Sequence, residues 1–216
     1  MYRYVLFDLD GTLTDPGEGI TNSVMHALRR MGIDPPEREA LYPFIGPPLL
    51  ESFAKYYGIT GEDGLRAVAY YREYYRDRGI FENRVIEGIP ALLEALTAAG
   101  CQCVLATAKP LHFAAQILEH YHLDGYFAHT AGASMDSSKT EKPMIVADAL
   151  ALCGAGAGEA VMVGDRYNDV EGAHANGIPC IGVLFGYGTR AELTEAGADF
   201  IAEGPAAVRR LVLEEG

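Results

Sequence analysis

Near the start of the chain an apolar run ends in two carboxylates two positions apart, Asp8 and Asp10 in YVLFDLDGTLTD. Strand side chains alternate with period two, so both are expected to point the same way. Two anions that close repel, and burying either without a partner costs several kcal/mol, so a cation must stand near them. Other reactive groups fall at comparable places. Thr107 closes CQCVLAT, Asp165 closes AVMVGD with Asp169 just after it in GDRYND, and Lys139 and Lys142 lie in KTEKP ahead of a helical pattern. Asp8 and Asp165, with Asp169 as a further candidate, are oxygen ligands of the kind a hard cation takes, and Mg²⁺ suits a few carboxylates plus waters and a substrate phosphate. A lysine adds a second positive charge, and a threonine hydroxyl can donate to the phosphate. Phosphoryl transfer asks for little more than a positioned nucleophile, charge neutralisation and proton handling.

These groups need elements to carry them. Short apolar runs read as strands at Tyr4–Leu9, Cys101–Thr107, Tyr126–Gly132, Ala160–Asp165 and Cys180–Phe185, with a weaker one at Ala198–Ala202. Helical patterns lie between most of them, several ending in glycine, as PALLEALTAAG does at Gly100. Strands alternating with helices predict right-handed crossovers and an α/β doubly wound parallel sheet covered on both faces. Ligands of such sheets bind beyond the carboxyl ends of the strands, where the reactive groups collect. From Pro16 to about Arg84 the alternation stops. Only helical patterns occur there, separated by the loop signals IDPPE and FIGPP. The organisation expected is a core of residues 1–15 and 85–216, with an all-helical insert at 16–84 and hinges near Asp15–Gly19 and Ile80–Gly88. The tyrosine-rich run Tyr70–Tyr75 reads as a helix with aromatic packing.

Composition narrows the classes. Seventeen basic against thirty acidic residues give a net charge of −13, a poor balance for holding a nucleic-acid polymer. An anionic metabolite would also be repelled at long range, so a phosphate site must be locally positive. No apolar run reaches the ~20 residues of a membrane span, and no signal-peptide pattern opens the sequence. Cys101, Cys103, Cys153 and Cys180 show neither metal-type spacing nor a disulfide frame and read as buried thiols of a cytoplasmic protein.

Taken in order, the four groups resemble the motifs of the haloacid dehalogenase (HAD) superfamily: Asp8-Leu9-Asp10-Gly11-Thr12 after a strand, Thr107 at a strand end, Lys142-Pro143 before a helix, and Gly164-Asp165 with Asp169. The resemblance spans essentially the whole chain. It implies a Rossmann-like core with a small C1-type helical cap, and an aspartyl-phosphate formed on Asp8. Asp10 then protonates the leaving oxygen and later activates water. Mg²⁺ is implied as cofactor, held by Asp8, the Asp10 backbone carbonyl and Asp165, with Asp169 at or behind it. Thr107 and Lys142 grip the phosphate, with Gly11 and Ala108 also at the substrate. An Asp at position 10 favours a phosphatase or phosphomutase over a dehalogenase.

GEGITNS and FIGPPLLESF look like substrate-facing loops of the phosphoglycolate phosphatase branch, which includes members described as 5′-nucleotidases; Thr21, Asn22 and Ser23 read equally as a helix start. Pro16 departs from the serine often found there. Lys139 reads as solvated, and Lys109 serves either the site, the start of the next helix or the cap. The expectation is a phosphomonoester hydrolase, monomer or homodimer, acting on a small phosphorylated metabolite such as phosphoglycolate or a nucleoside 5′-monophosphate. The alternatives are a sugar phosphomutase of the β-phosphoglucomutase type and, from another class, a receiver-like module, which would lack both the Asp-x-Asp-Gly-Thr arrangement and the helical insert.

Overall fold

The computed structural model describes residues 1–135 and 139–214. The chain forms two compact units, one of Met1–Thr14 with Val85–Gly216 and one of Asp15–Arg84. In chain order, strand β1 (Tyr4–Phe7) leads to a two-residue strand β2 (Thr14–Asp15), which pairs with β3 (Arg84–Val85). Between these lie helices α1 (Gly17–Arg30), α2 (Leu49–Tyr57) and α3 (Gly61–Tyr74), with a 3-10 segment at Arg38–Phe44. The chain then runs through α4 (Ile89–Ala98), β4 (Gln102–Pro110), α5 (Leu111–His120), β5 (Phe127–Ala133), α6 (Lys142–Cys153), β6 (Ala160–Gly164), α7 (Tyr167–Ala175), β7 (Cys180–Val183), α8 (Arg190–Glu195), β8 (Phe200–Ala202) and α9 (Pro205–Glu214).

The main sheet has six strands in the order β5-β4-β1-β6-β7-β8, every neighbouring pair parallel. This is the doubly wound α/β sheet expected from the alternation. β1 is central and wholly buried, which is why YVLF is apolar at every position instead of alternating with polar residues. Tyr4 and Leu6 share one face with Val104, Ala106 and Met162, packed against Ile145, Val146 and Ala149 of α6 and Val170 and Ala173 of α7. Alternation turns Val5 and Phe7 to the other face, where the Phe7 ring meets Phe127 edge-on at 6.4 Å. The order reverses direction at β1, so the crevice beyond its carboxyl end is the switch point of the sheet.

Two strand ends differ from expectation. β1 stops at Phe7, and although the Asp8 N–H still reaches Val163 O at 3.0 Å, Asp10 lies in the turn beyond. The Leu9 carbonyl collects the N–H groups of Thr12, Leu13 and Thr14 there, so turn geometry and not strand alternation aims Asp10. β4 runs past Thr107 to Pro110, with a register break against β5 between those two residues. Thr107 therefore lies inside the strand. α6 ends where Gly154 takes up a left-handed conformation, φ +67°, that an L side chain would resist.

The four cysteines are free; Cys101, Cys103 and Cys180 are buried, and burial pushes the Cys103 thiol up to about 12. Among the described residues, no helix is long and apolar enough to cross a membrane.

In the Asp15–Arg84 unit, Val24, Ala27 and Leu28 of α1 are buried along with Ala67, Val68 and Tyr71 of α3. Tyr71 and Tyr75 stack at 5.3 Å, so the tyrosine run is packing. Gly19 and Gly79 touch backbone to backbone; a Cβ on Gly19 would stand 1.9 Å from Gly79 O. Gly17–Ser23 is the first two turns of α1, which corrects its reading as a loop. The Thr21 and Ser23 hydroxyls donate back to Gly17 O and Gly19 O at 2.6 Å, and Asn22 Nδ2 donates to Glu82 at 2.8 Å. These side chains serve the helix and its neighbours.

Candidate active site

At the carboxyl end of the sheet three carboxylates from two strand ends and one helix converge. Asp8 follows β1, Asp165 follows β6, and Asp169 sits in the first turn of α7; each offers an oxygen within 4.8 Å of the others, and all three are buried. Lys142, the first residue of α6, brings Nζ to 2.8 Å from Asp8 Oδ1 and 2.6 Å from Asp169 Oδ1. Both are close ion pairs, yet neither of those oxygens accepts an aligned hydrogen bond. Lys139 points elsewhere, to Asp148. Of the two candidate lysines, only Lys142 stands at the carboxylates.

Backbone and glycine hold the acids in place. Asp165 Oδ2 accepts the Tyr187 N–H at 2.7 Å, and Oδ1 accepts the Thr12 hydroxyl at 3.3 Å. Asp169 Oδ2 accepts the Arg166 N–H at 3.0 Å, capping α7 from within its own first turn. Gly11, at φ +84°, lies so near that a Cβ would stand 2.2 Å from Asp165 Oδ2; on Gly186 it would stand 2.5 Å away. On Gly164 it would stand 2.2 Å from Asp169 Cγ, and on Gly172 2.7 Å from Lys142 Cγ. Any side chain at these glycines would displace an acid or the lysine.

The electrostatics are those of an anionic cluster short of positive charge. Lys142 pairs with two of the three carboxylates, and the Arg166 charge offsets only part of the repulsion at Asp165. Burial, followed by repulsion from Asp169 and Asp8, holds the Asp165 carboxyl well above the usual carboxylate range. Burial likewise raises Asp169, to about 6, against the pull of Lys142. Burial alone would lower Lys142, but the Asp169 and Asp8 carboxylates outweigh it and keep its ammonium firmly protonated. Oxygen donors that are buried, mutually repelling and turned toward one point fit a divalent hard cation. Asp165 fits that description well: the Tyr187 amide and the Thr12 hydroxyl donate to it, while Lys142 pairs with the other two acids.

Asp10 stands apart with a cation of its own. Lys109 Nζ lies 2.5 Å from Asp10 Oδ2, both side chains buried. The Asp10 carboxyl is raised by burial, opposed by Lys109. The Lys109 N–H donates to Thr107 Oγ1 at 3.2 Å, tying Thr107 to the same corner.

The sequence singled out all of these acids, Thr107 and Lys142, and left Lys109 undecided. It missed the segment after β7, in which Gly186, Tyr187 and Gly188 wrap Asp165; the signal was the GYG directly after CIGVLF. It also missed Glu192, whose Oε1 accepts both Arg166 Nε at 2.8 Å and the Tyr167 N–H at 3.1 Å, bracing the α7 start that carries Asp169.

Known proteins agree with this architecture. The family model described as haloacid dehalogenase-like hydrolase matches residues 5–183. A Pseudomonas aeruginosa protein named 5′-nucleotidase is 47% identical over 89% of this chain and 87% of its own. The Mycobacterium tuberculosis protein named tyrosine-protein kinase PtkA is 41% identical over 86% of this chain, which spans 63% of that protein. The crystal structure of a predicted phosphatase from Clostridium acetobutylicum superposes with a TM-score of 0.97 at 43% identity, covering 99% of both chains. With its sheet order, its strand-end acids and a family match from β1 through β7, the chain belongs to the haloacid dehalogenase-like hydrolases and is an enzyme with phosphatases among its relatives.

Proposed function

We propose that the protein is a Mg²⁺-dependent phosphomonoesterase that acts through an aspartyl-phosphate on Asp8, with a nucleoside 5′-monophosphate or a phosphoglycolate-like acid as substrate. The observation that carries this reading is the convergence of Asp8, Asp165, Asp169 and Lys142 within ion-pair reach in a buried corner at the sheet's switch point. An Asp8 carboxylate oxygen attacks phosphorus while the bond to the leaving oxygen breaks, and the Asp10 carboxyl gives that oxygen its proton. Asp10, now a carboxylate, then takes a proton from the water that attacks the aspartyl-phosphate, releasing inorganic phosphate and restoring Asp8. Two neighbouring carboxyl groups thereby take opposite roles set by their surroundings. Asp8, Asp165, Asp169 and the Asp10 backbone carbonyl would hold the cation, which supplies charge neutralisation at the phosphoryl oxygens. Lys142 and Thr107 supply further charge and a hydrogen bond to the phosphoryl group, with Gly11 and Ala108 alongside. Substrate choice is assigned to the helical unit, read as a C1-type cap.

The relative named 5′-nucleotidase ranks nucleoside monophosphates first, and the relative named a tyrosine kinase makes phosphotyrosine an instructive arm of a substrate screen. Asp8→Asn is expected to abolish phosphate release from p-nitrophenyl phosphate while the far-ultraviolet circular dichroism stays unchanged. Retained turnover would remove Asp8 as the nucleophile. Free phosphate as the product, in place of phosphate passed to a sugar, separates the hydrolase from a phosphomutase.

A further inference from the structure

Lys109 is a buried lysine that lies outside the four motif groups yet touches two of them. Thr107 and Lys109 share parity on β4, and β4 lies beside β1 with Leu105 opposite Phe7, so the chain just past Thr107 faces the turn that carries Asp10. From there the ammonium reaches Asp10 Oδ2 at 2.5 Å and the backbone N–H reaches Thr107 Oγ1 at 3.2 Å. The remaining carboxyl oxygen, Asp10 Oδ1, is buried and accepts no hydrogen bond.

Neither structural role explains this lysine. It lies just before Pro110, the N-cap of α5, where a cation opposes the helix dipole instead of complementing it. A buried ion pair is also weak support for stability, because a well-packed apolar pair would do as well or better.

We infer that Lys109 is a positioning residue of the proposed reaction: it fixes the Asp10 carboxyl by one oxygen, leaving Oδ1 to carry the proton to the leaving group, and occupies the Thr107 oxygen so that its O–H points to the phosphoryl group. The inference rests on the reading of Asp10 as proton donor. In the step itself the proton moves from Asp10 Oδ1 to the leaving oxygen as the phosphorus–oxygen bond breaks. Lys109 neither gains nor loses one.

Leaving-group dependence tests this, because a phenolate that leaves readily needs little help from an acid and an alkoxide needs much. The comparison is between p-nitrophenyl phosphate and p-nitrobenzyl phosphate, read as kcat/KM. This quantity covers only the steps through formation of the aspartyl-phosphate, so the later role of Asp10 does not enter. Lys109→Met is expected to cost about 100-fold on the benzyl ester, as misplacing an acid does, and less than about 10-fold on the phenyl ester, where only the grip of Thr107 weakens. Asp10→Asn should show the same split, and adding Lys109→Met to it should not widen that split. Lys109→Arg, which keeps the charge, gives a smaller split in the same direction and carries the test if the methionine variant melts. Equal losses on both esters, or a wider split in the double variant, overturn the role of Lys109 alone. No split in Asp10→Asn overturns Asp10 as the acid, and this inference with it.

Discussion

The two units place their charges differently. In the α/β unit the pairs Lys142–Asp8, Lys142–Asp169 and Lys109–Asp10 are withdrawn from solvent, with side-chain exposures of 10% or less. In the helical unit the pairs Arg30–Glu73, Arg66–Asp63 and Arg76–Asp77 lie with both partners 44–68% exposed. Surface pairs are screened by water and contribute little, whereas buried charges cost several kcal/mol unless closely paired, and are hard to justify by stability alone. A protein that collects buried acids at one end of a sheet while pairs such as Arg30–Glu73, Arg66–Asp63 and Arg76–Asp77 stay in solvent has spent stability on a site. Much the same contrast separates the hydroxyls: Thr21 and Ser23 turn back onto their own helix, while Thr107 is held by a neighbouring N–H.

The sharpest way to break this contrast is to withdraw the cation. Chelation with EDTA should silence phosphatase turnover and Mg²⁺ should restore it; activity indifferent to EDTA would mean that the buried acids serve something else. Next in size is a side chain placed against the acids from outside. In Gly186→Ala the new Cβ would meet Asp165 Oδ2 and Gly11 O, so cation affinity, followed by the thermal shift that Mg²⁺ produces, should fall about 10- to 100-fold. An unchanged affinity would show that Asp165 need not be held there.

A smaller effect follows from pH. Asp10, Asp165 and Asp169 all have folded-state carboxyls raised above their ordinary range, so between that range and their folded values the native protein binds more protons than the unfolded chain. Stability of the cation-free protein should therefore decline as pH rises through about 6, the value at which burial holds Asp169. Melting curves should show a higher Tm near pH 5 than near pH 7, and a Mg²⁺-induced rise that is larger at the higher pH, where protons no longer compete for the ligands. A Tm that climbs with pH in cation-free protein would contradict the raised carboxyls. Smallest of all, Arg66→Ala in the helical unit should change stability by less than about 0.5 kcal/mol in chemical denaturation. A large loss there would erase the distinction between the two units.

Legibility in the sequence followed locality. β1, the parallel alternation and the glycine stops were readable because periodicity and turn chemistry act over a few residues; YVLF is apolar throughout because both faces of its strand are covered. The helical stretch from Pro16 was readable for the same reason. Less was legible where a neighbour decided the outcome. Thr21 and Ser23 looked free to face a ligand until the turns of α1 placed Gly17 O and Gly19 O beneath them. The two-residue strands β2 and β3 carry no pattern long enough to see and exist only because they meet. Asp10 was expected to follow Asp8 by strand alternation, yet the strand had already ended and the Leu9 turn redirected it.

By itself, then, the sequence determined which groups could act, through residue type and short spacing: the two acids after β1, Thr107, Lys142 before α6, and the acids that follow β6. Tertiary structure alone decided how those groups are paired. Which lysine meets which carboxylate, Lys142 with Asp8 and Asp169 but Lys109 with Asp10, depends on contacts between segments distant in sequence, 99 residues apart for Lys109 and Asp10, whose partners are set by sheet order and helix packing. The GYG segment holding Asp165 and the Glu192 brace behind Asp169 are of the same kind. Ion pairing and burial depend on distance in space, and only the folded chain supplies that distance.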